Sequence, residues 1–199
     1  MRISLAILAY GMGTYNYAYA TVPDPRHWYL PAKQGQWCAY ASEAARQKAA
    51  DINFVYDSAS ARVVGGQVLS LRYFRSDESG DWSVIDDYSF RNGEVSALTR
   101  TFNSLENGRV VDSLVARNGR LVRTSRRHLS IYGNTPIKPK KGVDYDAHMS
   151  VYARLDATPF FPVVFDKPKS GALCKPATPD TPAMLPASKP RAATAGRLP

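Results

Sequence analysis

The sequence predicts an α+β fold, mainly antiparallel β, in which one N-terminal helix packs on a curved β-meander, a half-barrel or helix-grip-like sheet. Three observations predict it. Residues 66–132 read as successive period-two segments separated by turn residues. Three of the breaks carry the same dipeptide: Asn92-Gly93, Asn107-Gly108 and Asn118-Gly119. One stretch of good helix formers, Gln36 to Ala50, stands ahead of the strands. Asn and Gly both tolerate positive φ, which a type I′ turn needs at its two central positions, so each dipeptide signals a hairpin.

Taken in order, the chain of 199 residues begins with a targeting segment over residues 1–20. Arg2 supplies the positive start, Ile3 to Met12 an apolar run, and Ala18-Tyr19-Ala20 a small-x-small cleavage site, so the mature chain is expected to begin at Thr21. The apolar run falls short of the roughly 20 residues that a membrane-spanning helix needs. The expectation is an exported protein, periplasmic or extracellular, with no transmembrane segment in the mature chain. Cys38 and Cys174 are its two cysteines, and an even pair without Cys-x-x-Cys spacing reads as one structural disulfide in an oxidising compartment.

Residues 21–35 hold Pro23, Pro25 and Pro31 around His27-Trp28-Tyr29, which reads as an extended arm outside the sheet because proline disfavours helix and central strand. The domain proper is expected over 36–172. Its helix places Trp37, Ala44 and Lys48 at helical spacing with Cys38 in the first turn, and a strand is expected where Ile52, Phe54 and Tyr56 alternate. Strands are then expected over 67–75, with Leu69, Leu71 and Tyr73 on one face, and over 82–90, where Asp86 interrupts the face of Trp82, Val84, Tyr88 and Phe90. Further strands follow over 94–103, 109–117 and 120–132. Val95, Ala97 and Thr99 oppose Ser96, Leu98 and Arg100, so neither face of the fourth strand is cleanly dry, which suits a curved and partly open sheet.

Beyond a break at residues 133–143, Tyr145, Ala147, Met149, Val151, Ala153 and Leu155 alternate with Asp144, Asp146, His148, Ser150, Tyr152 and Arg154, predicting an amphipathic strand with the first set inward. Phe160 to Phe165 is a further apolar run that Pro162 confines to a sheet edge. Residues 173–199, rich in proline, alanine, serine and threonine, read as a disordered basic tail that cannot bury enough surface to offset its chain entropy.

The formal charge of +9 favours acidic partners. Arg120, Arg126 and Arg127, with Lys138, Lys140 and Lys141 just beyond, form the densest cationic stretch and define a candidate polyanion-binding edge. Alternation places Arg120, Arg126 and His128 on one face and Arg123 and Arg127 on the other; charges on both faces also suit an edge strand that resists aggregation. Asp144, Asp146 and His148, with Tyr152, define an alternative polar site on one strand face, short of ligands for a metal. Asp86 and Asp87 point to opposite faces and cannot flank one substrate. No Gly-x-Ser-x-Gly elbow, Gly-rich phosphate loop or His-Glu-x-x-His occurs, so no residue is assigned a catalytic, metal or cofactor role.

The expected function is therefore a non-enzymatic exported binding or interaction protein of the envelope or exterior, taking an anionic envelope component or acidic polymer. The alternative is a small hydrolase-like or metal-dependent enzyme working from the Asp144, Asp146 and His148 face. Nucleic acid is not the favoured ligand, because the cationic stretch lacks an aromatic stacking platform.

Overall fold

A computed structural model describes residues 26–53, 56–143, 145, 150–179 and 183–184. The expected targeting segment and most of the expected tail lie outside them. The described residues form an open, nine-stranded antiparallel sheet with one α-helix.

The sheet begins inside the segment expected to be an arm. Arg26–Ala32 is strand β1, and it pairs on both sides, with Gln36–Tyr40 (β2) and with Ser58–Val64 (β3). Proline is tolerated here because the ladder to β3 covers only Arg26 to Tyr29 and ends before Pro31. β2 also corrects the helix expected from Gln36. Lys33–Gly35 forms a tight turn with Gly35 at positive φ; β2 then runs back along β1, and Cys38 sits in a strand rather than in a first helical turn.

The helix α1 is Glu43–Asn53. Its start is marked by Ser42, whose Oγ accepts the amide of Ala45 at 3.2 Å, an N-cap in the third-residue position. The strand expected from Ile52 does not start there, since the helix runs on to Asn53 and β3 begins at Ser58. Small side chains suit that place: Ala59 and Ala61 are buried opposite Tyr29 and His27 of β1.

From β3 the chain runs in hairpins, each strand beside the last. Gln67–Ser76 (β4), Trp82–Arg91 (β5), Glu94–Ser104 (β6), Gly108–Arg117 (β7) and Arg120–Leu129 (β8) follow in spatial order, and β8 ends the sheet. Two of the three Asn-Gly pairs have both residues at positive φ, Asn92 (53°) with Gly93 (80°) and Asn118 (52°) with Gly119 (71°), as a type I′ turn requires. The third differs. Only Gly108 is left-handed there, closing a longer loop between Ser104 and its partner Gly108.

The Asn92-Gly93 and Asn118-Gly119 turns, and the Gly65-Gly66 turn between Val64 and Gln67, are each followed by a β-bulge. The register slips at Leu69 in β4, at Ser96 in β6 and at Thr124 in β8. A bulge reverses which alternate residues face inward, and this resolves patterns that simple alternation leaves mixed. Leu69 is exposed, while Val68, Leu71 and Tyr73 are buried; Val95, Leu98 and Arg100 all face inward. The extra residue is pinned locally, Ser96 Oγ donating to the Ser89 carbonyl and Thr124 Oγ1 to that of Ser113.

The core lies between the sheet's inner face and the segment 151–164. Phe160 is fully buried, stacked on Tyr29 (5.8 Å between centroids) and edge-on to Trp37 and Tyr73 (5.1 and 5.4 Å). Phe161–Val163 is a 3-10 turn rather than an edge strand, with Val163 and Val164 buried. Pro162 stands in its first turn, where a missing N–H costs least. Of the amphipathic strand expected over 144–155, Ser150–Val151 (β9) is extended in a ladder, pairing with Ala183–Met184 (β11), and Arg154 bridges Glu94, while 144 and 146–149 lie outside the described residues. Both Val151 and Tyr152 are buried, so alternation fails there.

The segment expected to be a disordered tail opens as a strand, Ala172–Pro176 (β10), which pairs with β2 and brings Cys174 directly opposite Cys38. The two form a disulfide. Closing so long a loop constrains the unfolded chain by about 4–5 kcal/mol on the chain-entropy account. The helix lies on the other face of the sheet, where Arg46 stacks over Trp28. None of its described side chains is fully buried.

Gly108 and Gly119 separate two costs. An added Cβ at Gly108 would sit 2.7 Å from the Leu129 carbonyl oxygen, whereas at Gly119 it meets nothing within 4 Å. Gly119→Ala should cost about 1 kcal/mol through its positive φ alone, and Gly108→Ala about 2–4 kcal/mol because backbone must also move. Urea unfolding of the two variants checks the order.

Candidate functional site

The register set by the turns and bulges places one row of residues straight across the inner face. Tyr73 is paired with Asp86, Asp86 with Arg100, Arg100 with Asp112, and Asp112 with Arg126, one residue from each of β4 to β8. Asp86, Arg100 and Asp112 are at most 1% exposed. Arg100 donates Nε to Asp86 Oδ1 and Nη2 to Oδ2, both at 2.6 Å, and Arg75 adds Nη2 at 2.8 Å. Arg126 grips Asp112 in the same two-pronged way at 2.8 and 2.7 Å, with Arg123 at 3.4 Å. Planar guanidinium and carboxylate match edge to edge, which is why arginine serves in such buried pairs.

Apolar rows flank this charged one. On one side lie Leu71, Tyr88, Leu98 and Leu114; on the other Val84, Phe102 and Val110, ending at His128, whose ring meets Tyr145 at 4.8 Å. Burial pushes the hydroxyls of Tyr88 and Tyr29 well above the ordinary phenol range. The His27 and His128 imidazoles are held below the ordinary value, first by burial and then by a neighbouring cation, Lys167 and Arg126 respectively.

The predicted site residues separate. Arg126 is not available at an edge, being bound to Asp112. The bulge at Thr124 also changes the faces: Arg123, Arg126 and His128 are paired opposite inward residues, while Arg120 and Arg127 face outward. Arg120, Arg127, Lys138, Lys140 and Lys141 are exposed, and Lys140 Nζ donates to the Glu106 carbonyl. The chain leading to Lys138 runs beside the open edge of β8, where Ile137 donates its amide to the His128 carbonyl at 2.9 Å. Asp144, Asp146 and His148 lie outside the described residues. Tyr152, expected beside them on an outer face, is buried 6.3 Å from the Tyr73 ring.

On the outer face, a groove of about 320 Å³ opens over β3 to β6, with Arg26, Arg62 and Arg72 against the single carboxylate of Asp87. Ser60, Ser70, Ser89 and Thr99 also line it, with Leu71 and Tyr88. A second hollow of about 200 Å³ shares Arg26, Ser60 and Arg72 with it and extends under α1 to Trp28, Arg46 and Phe74. Nothing in local sequence announces this groove, because its arginines stand singly on three strands. The signal was their outward parity together with serines at alternate positions.

No family model, no curated protein and no solved structure matches this chain. Among the described residues, no helix is long and apolar enough to cross a membrane, and no group of three or more His, Cys, Asp or Glu side chains is placed to hold a metal ion.

Removing one partner from a buried ion pair leaves the other charge uncompensated. Asp86→Asn should therefore destabilise by about 3–5 kcal/mol, while Asp87→Asn, which breaks the exposed pair with Arg72, should cost less than about 1 kcal/mol. Paired urea titrations read the difference.

The histidines supply a pH dependence. With both folded pKa values below the ordinary 6.5, the unfolded chain binds more protons, so stability is held above that pH and declines as pH falls through it. Thermal melts from neutral to acid pH should show the decline, and His27→Gln with His128→Gln should flatten it.

Proposed function

We propose that this chain is an exported, non-enzymatic binding protein of the periplasm or exterior, and that its partner is an anionic polymer or envelope component met by its cationic outer surfaces. One observation carries the reading. The apolar inner face, the other surface a sheet of this kind offers, is occupied by the chain's own residues 151–164, whereas arginines line the open hollows of the outer face. The disulfide is compatible with an oxidising compartment. In this reading the sheet curves round its internal segment as a half-barrel, stiff enough to hold the outer arginines in fixed array.

Binding through several cationic side chains releases condensed counterions, so affinity falls steeply with salt. Protein exported by a host with its leader intact should begin at Thr21 and be retained on heparin until salt is raised. The combined change Arg120→Ser, Arg127→Ser, Lys138→Ser and Lys141→Ser, all at exposed positions, should lower the eluting salt without moving the melting temperature. Retention indifferent to salt would remove the polyanion reading.

A further inference from the structure

We infer that the outer face carries a track for an acidic polysaccharide, running across the strands from the Arg26, Arg62 and Arg72 groove toward the β8 edge. The inference rests on the polyanion reading above and names both its principal site and its ligand class.

The register places a single outward row from β3 to β8: Ser60, Arg72, Asp87, Thr99, Ser113 and Ser125, each directly opposite the next. At strand spacings of roughly 4.8 Å the row is about 24 Å long. In the neighbouring row Arg26 is opposite Arg62, Arg62 opposite Ser70, and Ser70 opposite Ser89. Arg26 and Arg62 thus bring two guanidiniums to adjacent places in the groove's lining. Arg72 donates two hydrogen bonds to Asp87, at 2.7 and 3.0 Å. A carboxylate or sulfate would lie at the arginines, and the hydroxyl row, which can both donate and accept, matches the hydroxyls of sugar rings.

Nucleic acid fits this surface less well. Trp28, the ring best placed for stacking, already has the guanidiniums of Arg46 and Arg26 over it at 5.5 and 5.9 Å, so a base would have to displace one of them.

The test is titration of the full mature chain with heparin, neutral dextran and single-stranded DNA at about 0.1 M salt, where surface charges are screened beyond roughly 10 Å. The wild type should bind heparin, ignore dextran and bind DNA more weakly. Arg62→Glu should weaken heparin at least tenfold, and Ser125→Asp at the far end of the row should weaken it several-fold, both with unchanged melting temperature. Ser70→Asp serves in place of Arg62→Glu should that variant misfold. Heparin affinity within twofold of wild type in the groove and row variants, with loss confined to the Arg120, Arg127, Lys138 and Lys141 variant, overturns the track and leaves the edge reading standing. Tighter binding to DNA than to heparin overturns the ligand class, and no heparin binding by the wild type overturns both readings.

Discussion

A sheet that buries one face must find a second layer to cover it, and here the requirement is met by the segment 151–164 rather than by the helix. Phe160 stands between Tyr29, Trp37 and Tyr73, so the cover joins the first, second and fourth strands in one aromatic cluster. It is held from two directions. Tyr88 Oη accepts the Tyr152 amide and Tyr29 donates to the Val164 carbonyl, while β10 clamps the chain beyond the cover to the sheet margin through Cys174. With the inner face closed in this way, the helix is left on the outer surface, where it forms a wall of the cationic hollow.

The charged row answers a different need. Burying Asp86 and Asp112 without partners would be prohibitive, and a hydrophobic row of similar volume could be at least as stable. What opposite charges add is discrimination. Asp86 and Asp112 both stand opposite Arg100, and a slip of β6 by two residues, which keeps the same face inward, would set each carboxylate opposite Leu98 or Phe102 instead. Flanked by apolar rows that would tolerate sliding, the ion row fixes β5 to β8 against one another.

The bulges explain both what could be read from residues and what could not. Strand positions from β4 to β8 were legible because alternation and the Asn-Gly pairs are local. The Asn92-Gly93 turn alone would set Asp86 opposite Thr99; the extra residue at Ser96 moves Arg100 into that place. Thr124 likewise brings Arg126, instead of Ser125, opposite Asp112. A bulge belongs to two strands at once, so neither strand's letters reveal it, and the ion row stayed hidden behind an interrupted face at Asp86. Gln36–Tyr40 was misread for a related reason: its neighbours β1 and β10 decide that it is extended, and the Ser42 cap that marks the true helix start lies six residues beyond Gln36. The outer groove depends on parity across several strands and was out of reach for the same cause.

The disulfide has a mechanical side. Cys38 and Cys174 are 136 positions apart in the chain but directly opposite in the sheet, so nearly all of the strands lie within one covalently closed loop. A pull applied to the two ends of the chain passes from β2 to β10 through sulfur and leaves β3 to β8 outside the line of force. Such a protein can be tugged by whatever holds its ends while its charged row, on β4 to β8, keeps its spacing.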